Sequence, residues 1–253
     1  MSAKKHPDSG EGEQTADQAT VDYFDGHLHE YGKERIRGVA SLVKDRVPPK
    51  ASLADIGSGT GTNLKRLSRQ LGIRDITAMD VSRNSLDKLS QRIPRAKTRC
   101  VSILDATDLE PYRGQYDVVL MAAVLHHLVR GSRSASLADA RLGMSNALSL
   151  AKPGGVLIVM EPVFSPRVSS WGLFWLKRAV TGVTQDRVPI GSYWNNVGAP
   201  VVSFYTPEQV RGMALDSGGT IVAEQAEGQS LDHVDRLIRK KNLTLVIQRP
   251  EGS

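Results

Sequence analysis

Between about residues 52 and 160, short unbroken runs of apolar residues alternate with longer segments in which apolar residues recur three or four positions apart. The unbroken runs predict buried strands, and the spaced segments predict helices with one apolar face. Strands that alternate with helices in this way are typical of a doubly wound, mainly parallel sheet in the α/β class. Together with two later apolar runs, the predicted strands are 53–56, 76–79, 100–104, 116–121, 156–160, 220–226 and 242–248.

Two helix starts can be placed from side-chain chemistry. Ser82 precedes a segment with helical spacing, and serine is a preferred N-cap residue. Thr206 is followed by Pro207 and, three positions on, by Gln209, which together form the pattern of a capping box with proline at the first helical position. We therefore expect helices to begin just after Ser82 and Thr206.

Changes in composition predict how the chain is organised. Residues 1–19 are rich in Ser, Gly, Gln and charged side chains, which predicts a disordered tail. Residues 20–50 carry aromatic and aliphatic residues at helical spacings and predict a helical cap. The sheet domain is expected over residues 51–253, with an insert at about residues 163–205 that we expect to act as a lid.

Composition favours an ordinary cytoplasmic enzyme. The 253 residues are 40% apolar and 24% charged, which suffices to bury one sizeable core. Cys100 is the only cysteine, so an intrachain disulfide is excluded, and we expect this residue to be buried at the start of the third strand. No apolar run is long enough to span a bilayer, and the N-terminus lacks a hydrophobic signal segment.

The formal net charge of +6 raises the possibility of a nucleic-acid partner. However, the basic residues are scattered singly, and the densest late cluster, at 236–241, follows Asp232 and Asp235. Such a distribution is typical of solvated helix faces. We therefore expect a small-molecule partner and keep RNA as an alternative.

A glycine turn follows the first predicted strand. Asp55 is followed by Gly57, Gly59 and Gly61 at alternate positions, in the pattern D-x-G-x-G-x-G. Glycine has no Cβ, so a ligand can approach the backbone of such a turn closely. The spacing differs from the G-x-G-x-x-G of a dinucleotide site, and the turn lacks the G-K-[ST] end of a P-loop. It therefore predicts a different nucleotide-like ligand.

This turn resembles motif I of the class I S-adenosylmethionine-dependent methyltransferases. Asp80 ends the second predicted strand, Asp105 follows the third, and residues 152–155 read Lys-Pro-Gly-Gly before the fifth, each where that family has a landmark. The resemblance implies a Rossmann-like, seven-stranded sheet with an antiparallel last strand, and S-adenosylmethionine as the cofactor. It implies that the cofactor is bound by Asp55, Gly57, Ser58, Gly59, Gly61, Asp80, Val81, Asp105, Ala106 and Met121.

His126 and His127 are the candidate general bases, because they follow the fourth strand, where this family faces its substrate, and histidine titrates near neutral pH. Either histidine could instead order the loop. His27, His29 and Glu161 are alternative bases. The sequence has no C-x-x-C or H-x-x-x-H spacing, so we expect no metal.

Aromatic residues are concentrated in two segments. Of the 13 aromatics, three lie in the predicted cap and eight lie between residues 164 and 205. Both segments are expected above the carboxyl ends of the strands, where large rings can exclude water and bind an apolar substrate. The alternatives are a packed insert core and a membrane-surface contact. The predicted substrate contacts are Tyr23, Phe24, Tyr31, Trp171, Trp175, Trp194 and Tyr205.

Motifs that are missing narrow the substrate. The segment 121–124 reads Met-Ala-Ala-Val and lacks both the polar-Pro-Pro-aromatic run of adenine and glutamine methyltransferases and the acidic ligands of catechol enzymes. What remains resembles the quinone-biosynthesis and antibiotic-tailoring methyltransferases. The resemblance implies methylation of a bulky, partly apolar small molecule, such as a secondary metabolite. The alternatives are a non-methylating cyclase or binding protein of the same fold, and an RNA methyltransferase.

Overall fold

The computed structural model describes residue 36 and residues 38–165, 171–172, 175, 202–228 and 239–252. The predicted tail, most of the predicted cap and most of the predicted insert lie outside these residues. So do six of the candidate site residues, which are Tyr23, Phe24, His27, His29, Tyr31 and Trp194.

The described residues form one seven-stranded sheet in the order β3-β2-β1-β4-β5-β7-β6. Strands β1 to β5 run parallel to one another, whereas β7 is antiparallel to both β5 and β6. This confirms the predicted α/β class and the antiparallel last strand. The strands are β1 (Ser52–Ile56), β2 (Asp75–Asp80), β3 (Lys97–Cys100), β4 (Tyr116–Ala122), β5 (Ala151–Ser165), β6 (Thr220–Gly228) and β7 (Arg239–Gln248).

Helices connect the strands and begin where capping residues allow. Ser82 accepts a hydrogen bond from the Ser85 N–H, and Thr206 and Gln209 form the predicted capping box. Three short 3₁₀ turns lie at Lys44–Arg46, Glu110–Tyr112 and Leu125–His127. The helices are α1 (Val39–Val43), α2 (Thr62–Gln70), α3 (Arg83–Arg92), α4 (Ala106–Leu109), α5 (Arg133–Leu150) and α6 (Pro207–Asp216).

The core has two layers, one on each face of the sheet. Helices α1, α2 and α3 cover one face through side chains such as Val39, Leu64 and Leu89. Helices α5 and α6 cover the other face through side chains such as Met144 and Met213. Because both faces are covered, the central strands β1 and β4 are almost wholly apolar and buried, as expected of a parallel sheet. The serine and aspartate side chains on these strands lie near the strand ends: Ser52 and Asp117 at the amino ends, and Asp55 near the carboxyl end, where the site lies.

The third strand was placed wrongly by the sequence. It covers Lys97–Cys100 and not 100–104, and Cys100 is exposed where a buried residue was expected. The reason is topological, because β3 is the edge strand, and an edge strand tolerates charged and polar residues such as Lys97 and Arg99. At the other end, β5 continues to Ser165, so residues 163–165 belong to the sheet and not to the insert.

Candidate functional site

The glycine turn joins β1 to α2 at the carboxyl end of the sheet. Gly57, Gly59 and Gly61 have φ values of +63°, +50° and +78°, in the left-handed region that glycine adopts most easily. A Cβ on Gly57 would lie 2.5 Å from Val124 Cγ2, and one on Gly61 would lie 2.9 Å from Leu89 Cγ. A Cβ on Gly59 would meet nothing within 4 Å. The outer glycines therefore allow close packing, and the middle one opens to space a ligand can use.

That space is a cavity, open to solvent on one side, at the carboxyl ends of β1, β2 and β4. Doubly wound folds bind their ligands at this edge of the sheet. Its walls are mostly apolar, with a few polar groups, as is usual for small-molecule sites. The lining residues are Ile56, Gly57, Gly59, Asp80, Val81, Ser85, Val101, Ser102, Ile103, Ala123, Val124, His127 and Leu128.

Asp80 ties the end of β2 to the glycine turn. Its Oδ2 accepts a hydrogen bond from the Gly59 N–H at 2.8 Å, and its Oδ1 accepts one from the Ser82 N–H at 2.9 Å. Backbone donors of this kind stabilise the ionised carboxylate. Each carboxylate oxygen has a second lone pair, so Asp80 can still accept hydrogen bonds from a ligand in the cavity.

Asp55 and Ser58 hold buried polar atoms that the described residues leave without hydrogen-bond partners, namely Asp55 Oδ2 and Ser58 Oγ. Asp55 is 2% exposed. Burial raises the pKa of its carboxyl well above the usual range, and the negative charge of Asp80 raises this pKa further. Buried polar groups normally have partners. A ligand with a cationic or hydrogen-bonding group would supply them, but neither residue lines the cavity, so their contact with the amino-acid end of S-adenosylmethionine stays a prediction.

Three of the predicted cofactor-binding residues, Asp105, Ala106 and Met121, do not line the cavity. Asp105 is exposed, and its side chain caps α4 by accepting hydrogen bonds from the Thr107 and Asp108 N–H groups at 2.8 and 3.2 Å. Ala106 is exposed in the first turn of α4, and Met121 is fully buried in β4. Contacts of these three residues with a cofactor remain predictions. In their place, Val101, Ser102 and Ile103 line the cavity beyond β3, although no sequence motif marked them.

His126 and His127 follow β4 in the 3₁₀ turn, and the structure separates their surroundings. His127 lines the cavity. His126 is buried and does not line it, and its Nδ1 lies 2.7 Å from Glu161 Oε2. The two rings pack against each other with centroids 4.1 Å apart. Of the two candidate bases, His127 therefore has the position from which a ligand in the cavity can be reached.

Glu161, the carboxylate alternative, lies in β5 and is 2% exposed. Its Oε1 accepts hydrogen bonds from the Val124 and Leu125 N–H groups, both at 2.7 Å, while Oε2 contacts His126. Because it does not line the cavity and both oxygens are bonded to the turn after β4, Glu161 holds that turn. It is not placed to take a proton from a substrate.

The predicted aromatic contacts divide into two kinds. Trp171 and Trp175 are 56% and 43% exposed, with ring centroids 6.4 Å apart, and neither lines the cavity as described. Tyr205 is 1% exposed, and its hydroxyl donates a hydrogen bond to the Ser136 carbonyl of α5 at 3.1 Å. The expectation that Tyr205 contacts the substrate is therefore corrected, because its ring and its hydroxyl are both used in the core.

The described residues contain neither a metal-binding cluster nor a membrane-spanning helix. No group of three or more His, Cys, Asp or Glu side chains among them could hold a metal ion. Likewise, none of the helices in the described part of the chain has the length and hydropathy required to cross a membrane.

Comparison with known proteins gives independent findings. A family model described as a methyltransferase domain matches residues 54–157. The chain is 24% identical over 165 residues to a 2-methyl-6-phytyl-1,4-hydroquinone methyltransferase of Synechocystis, covering 59% of this chain and 49% of the relative. It is 28% identical over 150 residues to a dTDP-3-amino-3,4,6-trideoxy-alpha-D-glucopyranose N,N-dimethyltransferase of Streptomyces venezuelae, covering 59% of this chain and 58% of the relative. The matches thus span about half the length of these two relatives.

The fold also has solved counterparts. The structure of a SAM-dependent methyltransferase from Anabaena variabilis superposes with a TM-score of 0.65 and 16% sequence identity. The superposition covers 98% of this chain and 99% of that protein. At this identity the likeness concerns the fold, and it agrees with the strand order and the antiparallel β7.

Proposed function

We propose that this chain, whose residues 54–157 belong to the class I S-adenosylmethionine-dependent methyltransferases, transfers a methyl group to a bulky, partly apolar small molecule. The observation that carries the proposal is the convergence on one cavity of the open backbone at Gly59, the carboxylate of Asp80 and the ring of His127. The first two suit a nucleoside, and the third lies where an acceptor would be deprotonated.

The residues that would hold the cofactor occupy three positions. Asp80 lines the cavity and would accept hydrogen bonds from ribose hydroxyls. Asp55 and Ser58, whose buried oxygens have no partners among the described residues, would bind the amino-acid end. Val101 and Ile103 would form an apolar wall for the adenine. When bound, S-adenosylmethionine supplies an electrophilic sulfonium methyl group.

The remaining chemistry belongs to the chain's own side chains. Methyl transfer needs the acceptor in line with the donor, dry surroundings and, for a protonated acceptor, a base. Val124 and Leu128 give the β4 side of the cavity apolar surface that would exclude water, and the His127 imidazole is the group there that would act as a base. Apolar walls on this side favour an acceptor with apolar surface.

Three observations support a small molecule as the acceptor. The names of the two curated relatives given above refer to a prenylated hydroquinone and to an amino sugar nucleotide, both small molecules with ring systems. The exposed Trp171 and Trp175 offer ring surface in the insert that follows β5. The basic residues are scattered along the sequence, a pattern that suits solvated surfaces at least as well as a nucleic-acid stripe. A cytoplasmic location agrees with the single cysteine.

The test has two stages. Calorimetry should show that S-adenosylhomocysteine binds the wild type and that NAD does not. Gly59→Val should abolish this binding, because a branched side chain at φ +50° is strained and projects into the open space. Methyl-tritiated S-adenosylmethionine should then label acceptors from a panel of prenylated hydroquinones, polyketide phenols, amino sugars and transfer RNA.

Each other outcome has a clear meaning. Cofactor binding without labelling of any acceptor would favour a non-methylating relative such as a cyclase or a binding protein. Labelling of RNA, with binding that falls steeply as salt rises, would favour an RNA methyltransferase. Failure to bind S-adenosylhomocysteine would overturn the proposal.

A further inference from the structure

The turn after β4 is an unusual piece of backbone that forms one wall of the cavity. Ala123 has φ +60°, a left-handed conformation that is costly for a residue with a Cβ. Its N–H donates to the Met160 carbonyl at 2.7 Å, and the chain then enters the 3₁₀ turn at Leu125–His127. Strained backbone persists only where the surrounding structure holds it. Contacts from outside the turn must therefore hold it in this conformation.

The Glu161 carboxylate provides most of the contacts that hold this turn. It receives the Val124 and Leu125 N–H groups on one oxygen and His126 Nδ1 on the other, all at 2.7 Å. The first N–H groups of a helical turn have no partners within the turn, so Glu161 supplies what an N-cap would supply. Hydrogen bonds to a buried carboxylate are among the stronger ones in proteins. One side chain thus fixes three consecutive residues beside the cavity.

The same contact orients the two histidine rings. An ionised Glu161 carboxylate would only accept hydrogen bonds, and it would therefore keep a proton on His126 Nδ1. The His126 ring packs between the His127 ring, at 4.1 Å, and the Phe204 ring, at 5.6 Å between centroids. The Ser203 N–H also donates to the His126 carbonyl at 2.9 Å. Glu161 and Ser203 therefore fix the position of His126, and the His127 ring packs against the His126 ring.

We propose that Glu161 is a positioning residue for methyl transfer: through the backbone of 124–125 and the ring of His126, it sets where Val124 and His127 stand in the cavity. This rests on the proposed function. Glu161 does not line the cavity, so it acts only through the turn. Displacement of a reacting group by about 1 Å can cost about 10²-fold in rate.

Asp117 provides a matched control at the opposite end of β4. Its Oδ2 also accepts three hydrogen bonds, from the Ser52 N–H and hydroxyl, both at 2.8 Å, and from Lys152 Nζ at 2.9 Å. Asp117→Asn therefore disturbs a comparable network on the same strand, without reaching the cavity. A purely structural role for Glu161 predicts that Glu161→Gln and Asp117→Asn behave alike.

The experiment compares Glu161→Gln, Glu161→Ala and Asp117→Asn. The Gln side chain can keep the two backbone bonds, but it can pair with His126 only if that ring moves its proton to Nε2. We expect turnover to fall about 10-fold for Gln and about 100-fold for Ala, with KM for the acceptor and the Kd of S-adenosylhomocysteine within about threefold of the wild type. Asp117→Asn should keep wild-type turnover below its melting temperature.

A second readout does not depend on the acceptor. Proton–carbon spectra of histidine-labelled protein, assigned with a His127→Gln variant, should show the His127 ring signals shifted in Glu161→Gln and unmoved in Asp117→Asn. Unmoved His127 signals together with wild-type turnover in Glu161→Gln would overturn the positioning role. If Glu161→Ala does not fold, Glu161→Gln still decides. If the wild type methylates nothing, the spectra alone test the inference, so the two failures are distinguishable.

Discussion

Asp55 and Asp117 lie on adjacent strands but near opposite ends of the sheet, and their surroundings differ in one decisive respect. Asp117, near the start of β4, has its Oδ2 saturated by Ser52 and Lys152. Asp55, near the end of β1, has an Oδ2 for which the described residues supply no hydrogen-bond donor. The two carboxylates therefore serve different purposes.

Their pKa values shift in opposite directions. Burial, aided by the charge of Asp80, raises the pKa of Asp55 well above its usual range. Burial also raises the pKa of Asp117, but hydrogen bonds from the Ser52 N–H, Lys152 and the Ser52 hydroxyl outweigh it, and the net pKa is lowered. The amino end of the sheet is satisfied within the protein, whereas the carboxyl end keeps polar capacity for a ligand. That capacity costs stability when the cavity is empty.

Removing the histidine ring at the cavity should give the largest effect at the carboxyl end. We expect His127→Ala to lower turnover by about 10²–10⁴ if the ring acts as general base. His127→Gln is the control, because it keeps a polar side chain that cannot accept the proton. Turnover is measured from pH 5 to 9 on the acceptor found with labelled S-adenosylmethionine. Wild-type turnover of His127→Ala across this range would exclude the base role.

Removing the carboxylate at the end of β2 should affect cofactor binding more than stability. We expect Asp80→Ala to weaken S-adenosylhomocysteine by about 10- to 150-fold, since a hydrogen bond to a charged acceptor is worth about 1.5–3 kcal/mol. Asp75→Ala is the matched control at the amino end of the same strand, where Asp75 forms an exposed ion pair with Lys97 at 2.8 Å. Calorimetry that finds the same Kd for both variants would contradict the ribose assignment.

Neutralising the two contrasted aspartates should change stability in opposite directions. The folded pKa of Asp55 is raised, so the wild type loses stability as pH rises from the unfolded pKa through the folded one. Asp55→Asn avoids this loss, and without ligand it should be the more stable protein at pH 7, with the difference vanishing below about pH 4. The same variant should bind S-adenosylhomocysteine more weakly.

The sign reverses for Asp117. Its folded pKa is lowered, so its contribution is present above the unfolded pKa and is lost as pH falls through the folded pKa. Asp117→Asn should therefore be less stable than the wild type at pH 7 and should approach it in acid. Urea unfolding from pH 3 to 8 checks both variants, and shifts of the same sign would show that the two ends of the sheet are not electrostatically different.

Local features of the fold could be predicted from the sequence. The alternation of apolar runs, the N-cap at Ser82 and the capping box at Thr206 depend on nearby residues, and the structure confirms them. Of the predicted site residues, Gly57, Gly59, Asp80, Val81 and His127 line the cavity. Their place could be predicted because each lies at or shortly beyond the carboxyl end of a strand, and parallel strands end at one edge of the sheet.

Contacts between distant segments could not be predicted. Glu161 meets the Val124 N–H 37 positions earlier in the chain, and no spacing rule relates them. The left-handed conformation of Ala123 and the position of Val101 in the cavity wall depend on how β2, β3 and β4 come together. In addition, an edge strand such as β3 lacks the run of apolar residues that marks the central strands. The expectation for Tyr205 failed for a related reason, since the sequence does not distinguish an aromatic residue that lies in a lid from one that packs in the core.

Tyr205 gives the smallest expected effect, and it separates core from cavity. Tyr205→Phe removes only the hydroxyl that donates to the Ser136 carbonyl, so we expect a loss of about 0.5–1.5 kcal/mol in unfolding free energy. Turnover and acceptor KM should stay unchanged. Trp175→Ala is the contrasting variant. Because Trp175 is 43% exposed, its replacement should weaken acceptor binding without lowering stability.

The pH dependence of Tyr205→Phe adds a check that a substrate contact would not produce. Burial is the main reason that the pKa of Tyr205 rises to about 12, so the folded phenol stays neutral while the unfolded one ionises near pH 10. The contribution of the hydroxyl is therefore fully present below about pH 10 and decreases as pH rises toward 12. The deficit of Tyr205→Phe should be constant from pH 5 to 9 and should shrink above pH 10. A raised acceptor KM at unchanged stability would instead return Tyr205 to the substrate site.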